Sequence, residues 1–236
     1  QYHSVALKSD GTLWTWGRNH VNQLGDGTTT DRYSPVQISG FWARIGAGMG
    51  HTLAITTSGK LYTWGYNNGG QLGINSTAQK STPTEVVSSG IWIQVTGGEN
   101  YSVGIQADGT LWGWGYNDAG MVGDGTAIQR LTPVQISSQT TWSDISSWGY
   151  KSIALKSDGT IWGWGSIVNG EFGIGTNSLN YNTPTQLSSQ TAWTNTGASS
   201  SGWKALYGGM YTGLAVDSNN KLWKWGKNDW GQLGDG

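Results

Sequence analysis

Ser9-Asp-Gly-Thr-Leu-Trp-Thr-Trp-Gly17 is the stretch that decides the fold, because close copies of it recur along the chain. The Leu-Trp-Thr-Trp-Gly part returns about every fifty residues, at 61–65, 111–115, 161–165 and 222–226. A turn phrase rich in Gly, Asp or Asn precedes each copy. Repetition at this period is typical of propellers, solenoids and related arrays. The chain is therefore built from tandem copies of one small unit.

Each unit is predicted to form four short strands. In the second unit we place them at residues 42–47, 52–56, 61–64 and 85–87, the last directly after Pro83. Asp-Gly between two β-rich runs favours a hairpin with a type I′ turn. We therefore expect hairpins near residues 3–17, 51–65, 101–115, 151–165 and 212–226. No window shows a sustained 3.6-residue apolar period, so no helix is expected.

Alternation within the strands predicts how the units pack. Trp14 and Trp16 share one face of their strand, while Thr15 and its equivalents, which are small except for Lys224, occupy the other. Sheets with one bulky and one flat face stack when each unit's aromatics cover the next unit's small residues, as propeller blades do. Burying one Trp contributes up to about 4–6 kcal/mol. The periodic tryptophans are therefore expected in the core.

The predicted fold is an all-β propeller of four-stranded antiparallel blades. The sequence holds four full repeats and a partial one, since five hairpins accompany only four copies of the Pro strand. Residues 1–236 are thus a single propeller domain or part of one. We favour a piece of a larger ring over a five-bladed ring, because exposed end blades would present unpaired edges and apolar faces.

The units also resemble a known repeat. Residues 51–55 (His-Thr-Leu-Ala-Ile), 58–65 (Ser-Gly-Lys-Leu-Tyr-Thr-Trp-Gly) and 67–73 (Asn-Asn-Gly-Gly-Gln-Leu-Gly) are similar to the regulator-of-chromosome-condensation repeat. The resemblance covers essentially the whole chain. It implies a propeller, usually of seven blades, that serves as a protein-interaction platform and in some members as a guanine nucleotide exchange factor. The low charge and Asn/Thr-rich turns resemble bacterial or viral copies of the repeat.

Composition argues against several classes of function. Charged residues make up 11% of the chain and the formal net charge is -1, so no basic surface is available for nucleic acid. Cysteine is absent, which removes disulfides and thiolate metal sites. No apolar run approaches the roughly eighteen residues that span a bilayer, so membrane insertion is not expected.

The His and Asp residues are interpreted as structural. His3 and His51 occupy the same repeat position, which favours a repeated hydrogen bond over catalysis or metal binding. Asp26, Asp124 and Asp235 each stand alone in a Gly-Asp-Gly phrase, whereas calcium sites cluster their carboxylates. They are interpreted as turn residues. No catalytic residue, metal or cofactor is expected.

Candidate binding residues are those that break the repeat. Trp148 stands where the other units have glycine, and Trp230 stands where they have Val, Gly, Ala or Asn. In a four-stranded meander the turns after strands one and three emerge on one rim, so both should share a face with His20, Tyr66 and Tyr116. Exposed aromatics on rigid loops are typical of binding hot spots. The alternative is that they cover local apolar surface.

The function predicted is a non-enzymatic scaffold for protein–protein interaction in a secreted, cell-surface or virion assembly. A carbohydrate-binding propeller is the alternative, because Trp, Tyr and Asn-rich loops also suit sugars. An equivalent contact repeated in every blade would favour the sugar. A guanine nucleotide exchange factor is a weaker alternative.

Overall fold

The computed structural model describes residues 2–167, 172, 179–187, 203–208, 212–217 and 220–234. Within these ranges the regular secondary structure is entirely β-strand. The first sheet contains β1 (His3–Leu7), β2 (Leu13–Gly17) and β3 (Arg32–Ile38). The second contains β4 (Trp42–Ala47), β5 (His51–Thr56), β6 (Leu61–Gly65) and β7 (Lys80–Glu85). The third contains β8 (Trp92–Gly97), β9 (Tyr101–Gln106), β10 (Leu111–Gly115) and β11 (Arg130–Ser137). The fourth contains β12 (Trp142–Trp148), β13 (Lys151–Lys156), β14 (Ile161–Ile167) and β15 (Leu179–Gln186). The fifth contains β16 (Trp203–Gly208), β17 (Thr212–Asp217) and β18 (Leu222–Gly226).

Every sheet is an antiparallel meander whose strands lie in chain order. The central hairpin has the same register in successive units, with His51 opposite Gly65, Tyr101 opposite Gly115 and Lys151 opposite Gly165. The predicted hairpins are therefore present. The described part of the chain contains no helix long and apolar enough to cross a membrane.

The hairpin turn differs from the predicted type I′ turn. Among the residues of the third unit's turn only Gly109 has a positive φ, of 79°. Gly109 N donates to Gln106 O over 2.9 Å, and the Asp108 carboxylate accepts from Thr110 N over 3.0 Å. These are the features of a three-residue loop built from a type I turn and a left-handed glycine.

The fourth strand of each unit begins earlier than expected. We placed it at residues 85–87, after Pro83, whereas β7 spans Lys80–Glu85 and contains that proline. The strand is at the outer edge of its sheet, and its pairing with β6 shifts register between Thr63 and Gly65. A proline lacks the backbone N–H that a central strand needs, but an edge strand with a bulge tolerates it.

The hydrophobic core is divided among the contacts between neighbouring sheets, which we call sheet joints. The first joint packs Leu13 and Ile38 of the first sheet against Trp42, Ala54 and Trp64 of the second. Three further clusters of the same kind join the second to third, third to fourth and fourth to fifth sheets. The first strands lie innermost, since β8 contacts both β4 and β12. This arrangement of sheets around a common axis is a β-propeller.

The faces of neighbouring sheets do not pack against each other in the way that we predicted. The flat side of strand three is covered by the unit's own loop, where the Thr15 hydroxyl donates to Leu24 O over 2.8 Å. The aromatic side instead covers the Gln-Leu-Gly loop of the preceding unit. A Cβ added at Gly73 (φ +71°) would lie 2.8 Å from Nε1 of Trp114, so the indole packs directly on the glycine backbone.

The prediction of buried tryptophans is confirmed for the inner members of the pattern. Trp64, Trp114 and Trp164 are fully buried, and the four joints include the tryptophans that open strands β4, β8 and β12. Trp112 is half-buried because it lies near the turn, where its indole N–H donates to Thr110 Oγ1 over 2.8 Å. Trp16, the equivalent of Trp64 in the first sheet, is also only half-buried.

Candidate functional site

The loops that follow the first and third strands of each sheet form the surface that we call the upper rim. Because successive strands run in opposite directions, the first and third strands end at the same side of the sheet, and both loops lie there. Met49 and Glu99 lie in loops after the first strands β4 and β8, and Tyr66 lies after the third strand β6. His20 lies after β2, which is the equivalent of β6 in the three-stranded first sheet. Two adjoining cavities bring these residues together, because Met49 and Glu99 line both.

The larger depression, which we call the lateral cavity, has a volume of about 360 Å³. His20 and Tyr66 line it together with Arg18, Met49 and Glu99. The Arg18 guanidinium lies 5.5 Å from the centre of the Tyr2 ring, within the range of a cation–π contact. The lateral cavity therefore combines aromatic walls with one cation and one anion, drawn from three successive sheets.

The smaller depression, which we call the axial cavity, has a volume of about 210 Å³. Its lining includes His3, Met49, Glu99 and Trp148, with several backbone glycines. The loops around it are joined in sequence: Met49 N donates to Gly98 O over 3.1 Å, and Glu99 N donates to Gly149 O over 2.8 Å. Since the successive first strands are innermost, this cavity lies toward the propeller axis.

Glu99 is the acidic residue common to both cavities. Glu99 is half-buried, and its carboxylate lies near the Tyr150 hydroxyl. Burial, followed by this contact with Glu99, raises the pKa of Tyr150 above its usual value. In the described ranges no Lys, Arg or His lies within ion-pair distance of Glu99. Glu99 thus lines both cavities, and no cation of the described residues pairs with its carboxylate.

The histidines at the sheet joints are neutral donors. His3 Nε2 lies 2.9 Å from Thr52 Oγ1, which itself donates to Gln23 O over 2.7 Å. Because the hydroxyl hydrogen is used on the carbonyl, Nε2 of His3 must carry the ring hydrogen and Nδ1 is a bare acceptor. Nδ1 of His3 is buried and has no hydrogen-bond partner in the described part of the chain.

His51 repeats this arrangement one joint further along. Its Nε2 lies 2.9 Å from Ser102 Oγ, and that hydroxyl donates to Gln71 O over 2.8 Å. Burial lowers the pKa of His3 to about 4 and that of His51 to about 3, so both are uncharged at neutral pH. The predicted hydrogen bond at this repeat position is confirmed for both histidines.

The prediction that Trp148 is exposed is wrong. Its side chain is only 6% exposed and belongs to the joint between the fourth and fifth sheets, together with Ile153 and Trp225. In the preceding units a Cβ at position 48 or 98 would collide with the ring of His51 or Tyr101. The equivalent residue of the fourth unit is Lys151, which has no ring, and there an indole is accommodated.

The other predicted residues lie on the upper rim, but the structure does not bring all of them together. His20 is exposed and Tyr66 is half-buried, and both line the lateral cavity. Tyr116 is half-buried, donates to the Asp118 carboxylate and lies outside both cavities. Trp230 is 86% exposed on the loop after β18 and does not line either cavity.

Sequence reasoning missed three residues of these cavities, Arg18, Met49 and Glu99. The signal that could have revealed the last two is the loop position after the first strand, where successive units carry Met49, Glu99 and a glycine. Chemistry that changes from unit to unit at one rim position indicates a surface that is not required for the repeat itself.

The Gly-Asp-Gly phrases have the turn role that we predicted. Asp26 accepts from Thr28 N over 3.0 Å and from Arg32 Nε over 2.7 Å. Asp124 makes the equivalent contacts with Thr126 and Arg130. Asp235 lies outside the described residues. Among the residues whose positions are described, no group of three or more His, Asp or Glu side chains could hold a metal ion.

Comparison with known sequences identifies the repeat. The family model of the regulator of chromosome condensation (RCC1) repeat matches residues 10–55, 58–105 and 108–155, more than half of the chain. The chain belongs to the RCC1 repeat family. A second model of the RCC1 repeat matches residues 42–71. The ultraviolet-B receptor UVR8 of Arabidopsis thaliana is 50% identical over 36 residues, which are 15% of this chain and 8% of the receptor.

Solved RCC1-type propellers share the fold of this RCC1-repeat chain. Human WBSCR16 superimposes with a TM-score of 0.80 at 22% identity, over 97% of this chain and 60% of the human protein. Yeast RCC1 (Prp20), solved bound to Kap60, gives a TM-score of 0.80 at 19% identity, over 96% of this chain and 54% of Prp20. Prp20p from Saccharomyces cerevisiae has also been described with its binding properties to Gsp1p and histones. The chain thus spans little more than half the length of these proteins.

Proposed function

We propose that this RCC1-repeat chain is a non-enzymatic scaffold that binds a protein partner through its upper rim, centred on the lateral cavity. The observation that supports this most is the lining of that cavity. His20 of the first unit meets Tyr66 and Met49 of the second unit at one depression, beside the charged Arg18 and Glu99. Aromatic and Arg side chains around a preformed depression are the residues that dominate protein–protein binding energies.

The lateral cavity favours a protein over a glycan. A propeller that binds sugars with every blade would repeat one contact around the ring. Here the residue after the recurring glycine of strand three is Arg18, Tyr66, Tyr116 and Ser166 in successive units, so only the second and third units carry the same side chain. Such asymmetry suits a partner with its own irregular surface. The yeast structural neighbour Prp20 has been solved with a protein partner, which is consistent with this use of the fold.

The test is a capture experiment with matched variants. Immobilised wild-type protein, the rim variant His20→Ala/Tyr66→Ala and the control Phe41→Ser are exposed to extract from the source organism. Phe41 is 71% exposed but precedes β4, at the opposite end of the sheet. We expect the same protein to be retained by wild type and control, and retention to fall at least tenfold on the rim variant.

Each retained protein is then purified and its binding measured directly. Equal affinity for wild type and the rim variant would contradict the proposed function, as would binding to a glycan array that the rim substitutions abolish while no protein is retained. Circular dichroism of all three proteins controls for the fold.

A separate proposal concerns location. From the low charge and the Asn/Thr-rich turns we propose that the protein acts in a secreted, cell-surface or virion assembly. Immunodetection in the culture medium, surface and virion fractions tests this. Recovery in the cytosolic fraction alone would contradict it.

A further inference from the structure

We propose that the axial cavity accepts an Arg or Lys side chain of the protein that binds the upper rim, with the Glu99 carboxylate as its counter-ion. This inference rests on the proposed function, because the basic side chain belongs to the partner of the rim. It adds to the proposed function the type of partner side chain that the rim binds, which the lining of the lateral cavity does not define.

The first step is the position of the carboxylate. Glu99 lies at the tip of the loop between β8 and β9, where its backbone is fixed by the 2.8 Å bond to Gly149 O. The Tyr150 hydroxyl lies near the Glu99 carboxylate. Arg18, the cation of the lateral cavity, does not line the axial cavity. A half-buried carboxylate that is not paired with a described cation would be stabilised by a cationic donor.

The second step is the charge of the rest of the lining. Apart from Glu99, the described lining residues are Ala, Gly, Met, Ser and Trp, together with His3, whose lowered pKa of about 4 leaves it neutral. Gly48 and Gly98 contribute backbone to the lining, since the rings of His51 and Tyr101 occupy the space that a side chain at either position would need. The Glu99 carboxylate is therefore the one charge of the described lining, and its oxygens match the N–H groups of a guanidinium or ammonium.

The third step is the apolar part of the lining. Met49, which is 40% exposed, and the small exposed part of Trp148 line the same cavity. The methylene stem of Lys or Arg packs on such apolar surfaces while its charged end reaches a carboxylate. A purely apolar side chain would desolvate Glu99 without replacing its hydrogen bonds with water, and an acidic one would repel it.

The test uses a capped peptide as the probe. Acetyl-Gly-Arg-Gly-amide is titrated into the protein and followed by the ¹H–¹⁵N signal of the Trp148 indole, which is assigned with Trp148→Phe. The matched control peptide carries citrulline, which has nearly the shape of arginine without its charge. We expect the arginine peptide to shift the Trp148 signal and to bind at least five times more tightly than the citrulline peptide.

Two variants make the result specific. Glu99→Gln retains the size and removes the charge, and it should weaken the arginine peptide at least fivefold. Asp118→Asn removes a carboxylate of the same rim that lies outside both cavities, and it should leave the affinity unchanged. Equal binding of the two peptides, no binding of either, or an arginine affinity that Glu99→Gln leaves intact would overturn the proposal.

The outcome is separable from that of the scaffold. If the captured partner depends on His20 and Tyr66 but binds Glu99→Gln as tightly as wild type, the basic-side-chain inference fails and the scaffold stands. If the arginine peptide binds as expected but no partner depends on the rim, the scaffold is the hypothesis that fails.

Discussion

At the scale of single residues, the direction of the hydrogen bonds around His51 determines which ring nitrogen carries the hydrogen. His51 is fully buried, and its Nε2–H has one available acceptor, Ser102 Oγ, because that hydroxyl donates to Gln71 O. A protonated ring would place a second hydrogen on Nδ1, where no partner exists in the described part of the chain. The cost of burying that charge is the physical reason that the pKa of His51 falls to about 3.

This depressed pKa predicts a loss of stability in mild acid. The unfolded chain binds a proton at His51 below about pH 6.5, whereas the folded chain does not until about pH 3. The free energy of unfolding therefore falls with decreasing pH across that window, by about 1.4 kcal/mol per pH unit for each such histidine. Urea unfolding between pH 4 and pH 6.5 measures the slope.

The next repeat suggests a substitution that removes the histidine but keeps its hydrogen bond. Its equivalent residue is Tyr101, whose hydroxyl lies 3.0 Å from Ser152 Oγ. His51→Tyr should therefore keep a donor to Ser102 and remove about 1.4 kcal/mol per pH unit from the slope, whatever its effect on stability at pH 7. An unchanged slope would show that His51 does not carry the pH dependence.

At the scale of elements, one backbone carbonyl in each of the Gln-Leu-Gly loops at 23–25 and 71–73 receives two donors from the following sheet. Gln71 O accepts from Ser102 Oγ over 2.8 Å and from Trp114 Nε1 over 2.9 Å. Gln23 O accepts in the same way from Thr52 and Trp64. The loop is thereby part of the next sheet's core, which explains why Gln-Leu-Gly recurs with the tryptophan strands.

Ser102→Ala tests this joint. The substitution leaves the buried His51 Nε2–H without its acceptor and removes one donor from Gln71 O, so we expect the free energy of unfolding to fall by about 1–3 kcal/mol. Ser4→Ala is the matched control, because Ser4 occupies the same repeat position but is exposed. Its effect should stay within about 0.5 kcal/mol. Equal effects of the two substitutions in denaturant unfolding would contradict this role of the joint.

The elements also show what a sequence can and cannot predict. The hairpins are local: alternation around Trp14 and Trp16 and a glycine in the turn define both strands and their register. The extent of β7 was mispredicted because Pro83 is compatible with an edge strand, and edge position is a property of the whole sheet. Burial of Trp148 depends on Lys151 and on the fifth sheet. The pairing of Glu99 with Met49 in one cavity likewise depends on how neighbouring units meet.

At the scale of the whole molecule, stability is distributed over joints that connect nearest neighbours only. The four core clusters each draw their residues from two adjacent sheets. Such an array behaves approximately as a sum of unit and interface terms. Sheets with a joint on each side should therefore open less readily than the first sheet, where Ser4 is exposed and Trp16 half-buried although Thr52 and Trp64 are both fully buried.

Hydrogen exchange followed by mass spectrometry should reveal this gradient. We expect amides of β8, β9 and β10 to exchange more slowly than those of β1 and β2, because opening the third sheet breaks two joints. Ser102→Ala weakens the joint between the second and third sheets, so it should accelerate exchange in those two sheets more than in β12 and β13 of the fourth sheet. Ser4→Ala should not change the exchange rates of any of these sheets. If Ser102→Ala accelerated exchange equally in the first, second, third and fourth sheets, the propeller would open as one cooperative unit and the nearest-neighbour description would be wrong.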